Sequence, residues 1–342
     1  RDYYASRGLG DVYKRQLRKR WCSSDMIQDI WPKHLDNQYK NLKPGNGDTV
    51  FYFQGSSLLA RPSGHFNSQN PEENVLKYPQ YDEFVQGIKS SYGDKAVDNF
   101  EFIYLLSIDE EHFFLARKTG SLERGTFLGE MADSAVHKDM YSFVRGYEFI
   151  GVDSFRKAQP REHAYAAITA FHLYGWYRDN HFCGRCGKPL RHDDKQRMLR
   201  CDCCKNMVFP KICPAVIVAV TDKDRILLTK YVGRTYRNYA LIAGFTEIGE
   251  TTEETVSREV MEEVGVKVKN ITYYKSQPWG LSGSQLLGYF CELDGDDTIT
   301  LEEDELSVGT WVKADDIDVI DDHISLTREM IEKFRSEHVS HN

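Results

Sequence analysis

The stretch from Gly244 to Val266, GFTEIGETTEETVSREVMEEVGV, constrains the fold more than any other part of the chain. Thr251 followed by Glu254 has the spacing of a capping box, and Gly265 suits the left-handed position that ends a helix. Together they predict a helix over 251–264. At about 100° per residue, Glu259, Glu262 and Glu263 stand on one face, at i, i+3 and i+4. Val256, Val260 and Val264 form an adjacent apolar stripe that needs a sheet to cover it. Three crowded carboxylates repel one another and destabilise the helix unless cations hold them. Hard oxygen ligands of this kind favour Mg2+ or Mn2+, ions that suit a phosphate-bearing substrate. Arg258 can reach the neighbouring carboxylates, including Glu250 from the preceding loop. The plain alternative, a solvated acidic face, would hold for a generic acidic helix.

A second constraint precedes it. Cys183-Gly-Arg-Cys186 and Cys201-Asp-Cys203-Cys204 contain two CxxC pairs separated by fourteen residues. Two thiolate knuckles at this spacing close a tetrahedral S4 shell, the geometry of a structural zinc ribbon. Cys183, Cys186, Cys201 and Cys204 are the expected ligands, and Cys203 is the extra thiol. Four cysteines leave no open position for water, so the Zn2+ is expected to be structural. Unmetallated core thiols are the alternative. Cys22, Cys213 and Cys291 read as ordinary thiols.

Around these two landmarks the chain reads as α+β and multidomain. Residues 1–25, with RDYYASRGLGDVYKRQ at the start, are expected to be a non-native or disordered leader, with Met26 a plausible native start. From 26 to 160, the runs TVFYFQ (49–54), FEFIYLLSI (100–108) and HFFLAR (112–117) predict a β-rich accessory domain. A helix at 161–179 then leads into the ribbon, the two spanning 161–212. From 213 to 342, AVIVAV (215–220), RILLTK (225–230), YYKSQ (273–277) and LLGYFCEL (286–293) read as strands and SLTREMIEKFRSEH (325–338) as a helix. The 342 residues suffice for two or three domains with their own cores. A net charge of -8 argues against a broad basic surface gripping nucleic acid, though not against a local patch. No apolar run approaches a membrane span, and no signal peptide is evident, so a cytoplasmic protein is expected.

The spacing Gly-x5-Glu-x7-Arg-Glu-Val-x-Glu-Glu-x-Gly-Val is met at every position from 244 to 266, and in this the chain resembles the Nudix hydrolases. The resemblance implies an α/β/α sandwich with a mixed sheet and Mg2+- or Mn2+-dependent cleavage of a nucleoside-linked diphosphate. It also implies that Glu259, Glu262 and Glu263 are metal ligands, one of them positioning or deprotonating the attacking water. A further ligand from outside the motif is expected at Glu305, with Glu302 and Glu303 as rivals.

A ribbon directly before such a domain and a SQPW segment after it resemble the NADH pyrophosphatase branch, whose signature reads SQPWPFPxS. Ser276, Gln277, Pro278, Trp279 and Ser284 match, while Gly280, Leu281 and Ser282 replace Pro-Phe-Pro. The branch implies cleavage of NADH or NAD to nicotinamide mononucleotide and AMP, action on NAD-capped RNA ends, and a homodimer. Trp279, in an expected loop, offers a flat face to a dinucleotide ring. Gln277, Ser284, Phe245 and Phe209 are further substrate-binding candidates, core packing being the alternative for Trp279 and for the two phenylalanines. Losing Pro-Phe-Pro predicts a looser pocket wall and broader substrate range. Two other readings stay open, hydrolysis of another derivative such as ADP-ribose and a non-catalytic nucleotide- or RNA-binding protein.

Overall fold

The structure is a computed structural model that describes residues 26–64, 66, 73–119, 142–233, 239–302, 304, 306–318 and 324–339. The expected leader, Glu303 and Glu305 lie outside the described residues. The chain divides into two compact units. One comprises Ile30–Cys213 and Pro278–Gln285, and the other comprises residues up to Asp29 with Pro214–Gln277 and Leu286–Asn342. This differs from the division expected at 26, 160 and 212, because accessory domain and ribbon group together. Residues 26–29 group with the later unit: Met26 is buried beside Ile217 and Leu326, and Ile27 N–H donates to Ile324 O.

In the Ile30–Cys213 unit the strands are β1 (Leu35–Asp36), β2 (Thr49–Phe51), β3 (Phe53–Gln54), β4 (Ser57–Pro62), β5 (Leu76–Lys77), β6 (Phe100–Ile108), β7 (Glu111–Lys118) and β8 (Glu148–Gly151). They form one sheet in the order β1-β6-β7-β2 and another, β3-β4-β5, with β8 on β4. A helix absent from the sequence reading, α1 (Tyr81–Tyr92), packs Phe84 and Ile88 into a core with Val50, Tyr52 and Leu59. Its apolar stripe is only those two fully buried positions, too narrow to register as helical periodicity. Gly87 interrupts it because a Cβ there would stand 2.7 Å from Phe143 O. The predicted helix appears as α2 (Arg161–Asp179), buried on most sides through Ala164, Ala167, Ile168, Tyr174 and Tyr177. The ribbon follows as β9 (Leu190–His192), β10 (Leu199–Cys201) and β11 (Met207–Val208), antiparallel with β10 central.

The later unit is built on β12 (Cys213–Asp222), β13 (Arg225–Tyr231), β14 (Ile242–Phe245), β15 (Val268–Trp279), β16 (Ser284–Leu293) and β17 (Leu306–Lys313). The strand order is β15-β16-β12-β13-β17, with β14 also on β12. Side chains alternate along a strand, so β12 serves both faces of the sheet. Val216, Val218 and Val220 meet Val256, Val260 and Val264 of α3 (Thr252–Val264). Ile217 and Ala219 instead meet Leu326, Met330 and Phe334 of α4 (Leu326–His338). That is a helix–sheet–helix sandwich. Each fully buried helix valine contributes roughly 1.5–3 kcal/mol of transfer free energy before entropy is set against it.

Candidate active site

Helix α3 begins as the sequence predicts. Thr251 Oγ1 accepts from the Glu254 N–H, while the Glu254 carboxylate accepts from the Thr251 N–H at 2.8 Å. Gly265 ends the helix at φ 72°. Val256, Val260 and Val264 clamp one stripe to the sheet, so the carboxylate face is fixed in rotation. Strand β14 runs to Phe245 and brings Gly244 against that face. A Cβ on Gly244 would stand 1.8 Å from Glu259 Cδ. The motif therefore needs glycine here because the Glu259 carboxylate lies where any side chain would be.

Arg258 organises the charges. Its Nε donates to Glu250 Oε1 at 2.6 Å, and one terminal nitrogen donates to Glu259 at 2.8 Å and Glu262 at 2.9 Å. The other terminal nitrogen donates to Glu250 Oε2 and Phe245 O, each at 3.0 Å. Glu250 also accepts from the Glu247 N–H and the Thr255 hydroxyl. The Arg258 guanidinium, helped by the Glu247 N–H, pulls the Glu250 carboxyl down to about 2. The same network pushes Arg258 further above its already high value, Glu250 first. Thr255 escaped the sequence reading, since nothing in its spacing marks it as a partner of Glu250.

Glu263 is only 1% exposed, whereas Glu262 faces solvent. The Glu302 N–H donates to Glu263 O at 3.1 Å, which ties the segment after β16 to the end of α3. Of the expected outside ligands, only Glu302 is therefore described, and its side chain is exposed. Glu259 and Glu262 share one guanidinium and Glu263 is buried on the same helix. Carboxylates are the ligand type that suits a hard divalent cation, but among the described residues only the four ribbon cysteines are gathered closely enough to hold an ion.

Phe245 ends β14 and is 55% exposed, beside the carbonyl that Arg258 holds. Gln277 does not reach the surface. At 0% exposure its amide donates to Gln28 Oε1 and Ile324 O and accepts from the Leu326 N–H, joining β15 to the start of α4. Glutamine serves there because both ends of the amide are needed.

In the other unit, Trp279 is the last residue of β15 rather than part of a loop. Pro278 is tolerated because β15 is the sheet's edge. The Arg156 guanidinium lies 4.8 Å from the Trp279 ring centroid, a cation–π contact with no local sequence signal. The turn that follows is close-packed, not loose. A Cβ on Gly280 would meet Ile168 O of α2 at 2.4 Å, and Gly283, at φ 69°, lies against His172. Proline at 280 would carry such a Cβ, so Gly-Leu-Ser answers the helix it packs on. Ser284 is buried, its hydroxyl 2.8 Å from that of Ser282. Phe209, just after the ribbon, is 52% exposed.

The ribbon brings its four expected cysteines together. Their sulfurs lie within 4.8 Å of one another, with Cys183–Cys204 at 3.6 Å and Cys186–Cys201 at 3.4 Å. The Cys204 N–H holds the Cys201 thiol below its ordinary value, whereas the Cys186 and Cys204 thiols are held above theirs. Cys203 is exposed and outside the shell. An S4 shell of this kind fits one tetrahedral ion.

The chain is 38% identical over 160 residues to the NAD-capped RNA hydrolase NudC of Salmonella schwarzengrund (strain CVM19633), covering 47% of this chain and 62% of that protein. The NudC of Salmonella typhi is 37% identical over the same share. The chain thus spans about three-fifths of the length of these relatives. Among solved structures, a NUDIX hydrolase from Nitrosomonas europaea aligns with 46% of this chain and 90% of its own, at 19% identity and TM-score 0.38. The NUDIX domain family matches residues 211–334, which takes in β14, α3 and the whole carboxylate face. The chain contains a NUDIX domain.

Proposed function

We propose that this protein hydrolyses the diphosphate bond of a nicotinamide dinucleotide, NADH or NAD, releasing nicotinamide mononucleotide and AMP, and that it acts likewise on NAD caps of RNA. The observation that carries this reading is the face of α3, where Glu259, Glu262 and Glu263 stand beside the Arg258–Glu250 lock. The names of the Salmonella relatives support the choice of substrate. Glu259, Glu262 and Glu263 would hold Mg2+ or Mn2+, with Glu305 the proposed ligand from outside the helix. When bound, such an ion neutralises the diphosphate and favours attack by water. Arg258 fixes the rotamers of Glu250, Glu259 and Glu262. One of the three helix carboxylates takes the proton of the attacking water as the phosphorus–oxygen anhydride bond breaks, and the departing phosphate keeps the bonding pair.

Trp279, with Arg156 on its ring, Phe245, Phe209 and Ser284 are the proposed substrate contacts. Gln277, its amide fully used between β15 and the start of α4, is proposed to hold that strand and not to touch substrate. Zn2+ is the proposed occupant of the cysteine shell, in a structural role. We further propose a cytoplasmic homodimer. Along the sequence its proposed functional parts are an accessory part at 26–160, a helix and ribbon at 161–212 and a hydrolase part at 213–342, with residues 278–285 shared out of the last into the other compact unit.

The test is turnover of NADH, NAD, ADP-ribose and NAD-capped RNA in parallel, with products identified by mass. Nicotinamide mononucleotide plus AMP is expected, and Glu263→Gln should lower kcat by roughly 100-fold or more. Efficient ADP-ribose cleavage with no action on NAD or NADH would overturn the substrate assignment. Unchanged turnover by Glu263→Gln would remove that residue from the catalytic machinery, and absence of turnover on all four substrates would return the chain to a non-catalytic binding role.

A further inference from the structure

The charge of the chain is unevenly placed. Over residues 181–212 there are eight lysines and arginines against three aspartates, a local +5 within a chain of -8. The rest of the chain therefore carries -13. Four thiolates around one divalent ion subtract two charges and still leave the ribbon basic.

The strand register places part of this charge on one face. Arg200 lies directly opposite Arg191 on one side and Met207 on the other. Residues paired across antiparallel strands project to the same face, so Arg191, Arg200 and Met207 form a row across all three strands. Alternation sends His192, Leu199 and Val208 the other way. That inner face is anchored: the Tyr177 hydroxyl lies 2.5 Å from His192 Nε2 and the Tyr39 hydroxyl 3.3 Å from Nδ1, while Leu199 is buried. The outer row faces solvent, with Arg191 and Met207 exposed and Arg200 half-buried. Asp202 pairs with Arg191 at 2.5 Å and Asp193 with Arg200 at 3.6 Å, which orients both guanidinium groups without burying them. Lys188 and Lys205 are exposed close by in sequence. Phe209 extends the row beyond β11.

We propose that this outer face of the ribbon binds single-stranded RNA, holding backbone phosphates with Arg191 and Arg200 and seating an unpaired base on Met207. The proposal deepens the RNA arm of the function proposed above and rests on it. Charge complementarity selects a polyanion, and an exposed apolar side chain at the end of the row, next to Arg200, selects one with exposed base faces. An acidic protein segment would use the arginines but leave the methionine idle.

The test uses the full-length, zinc-loaded protein and a 5′-hydroxyl single-stranded RNA without a cap, followed by fluorescence anisotropy at several salt concentrations. Arg191→Gln/Arg200→Gln should bind about tenfold more weakly at low salt. The slope of log affinity against log salt should fall by about 1.4, because two phosphate contacts on a single strand are worth about 0.7 each. Arg191→Lys/Arg200→Lys should keep the slope. Met207→Ser should weaken binding by a similar factor at every salt concentration with the slope unchanged. Zinc content and thermal midpoint guard each variant against a folding artefact. Unchanged affinity and slope in the arginine-to-glutamine variant would overturn the proposal. So would equal binding of polyglutamate of matched charge, which would point to an acidic protein partner. Since the probe carries no dinucleotide, failure of the hydrolase reading shows separately, in NAD turnover.

Discussion

At Gly244 the structure turns a motif letter into a steric requirement. The Glu259 carboxylate fills the space a side chain would need, so on the function proposed Gly244→Ala should cut kcat by roughly 100-fold by displacing a carboxylate proposed to hold the ion. The fold should survive, since the displaced carboxylate can swing toward water; steady-state kinetics beside circular dichroism checks both halves. Gly280 is the contrasting case, because the atom a Cβ would meet is backbone, Ile168 O. Gly280→Ala should therefore lower the thermal midpoint as well as activity, by an amount equivalent to about 1–3 kcal/mol. The Arg258–Glu250 pair makes a pH prediction. Glu250 titrates lower in the folded chain than when unfolded, so its pairing stabilises fully above about 4.5 and is lost as pH falls toward about 2. Arg258→Ala should remove that part of the acid dependence, read from denaturant midpoints at pH 3 and pH 6.

Elements were legible where local chemistry and periodicity agreed. Helix α3 appears as the capping box and Gly265 predict, and β6, β7, β12 and β13 appear where continuous apolar runs were marked. Helix α1 was not legible, since two buried residues and a central glycine make no pattern until Phe143 is known to pass beside it. The cysteine shell was readable because metal geometry imposes a short, regular spacing. The Arg156–Trp279 contact was not, since it joins residues far apart in sequence. For the ribbon itself, Cys183→Ser should lose bound zinc and lower the thermal midpoint before it alters chemistry. Metal analysis beside calorimetry would expose the opposite result, normal stability without zinc.

Across the molecule, each unit has its own core and, on the reading proposed, its own metal. Ligand linkage then predicts two thermal responses that move separately. Mn2+ at 100 times its dissociation constant should stabilise the Pro214–Gln277 and Leu286–Asn342 unit by about 2.7 kcal/mol, and Glu259→Gln should erase that shift. A zinc-selective chelator should lower the transition of the other unit alone. Calorimetry with and without each reagent tests this, and one transition shifting as a block under both would contradict it.

Strand β15 starts in one compact unit and ends, at Pro278 and Trp279, in the other. Neither unit is therefore a contiguous stretch of gene. A single cut after residue 213, the obvious place to separate a hydrolase domain for expression or to graft it onto a foreign partner, carries residues 278–285 away with the wrong fragment. That fragment would keep every glutamate of α3 and leave Gly280 and Gly283 with no helix to press against. The practical reading is editorial: this protein is written as an interleaved text, and its parts can be recombined only by moving two passages at once.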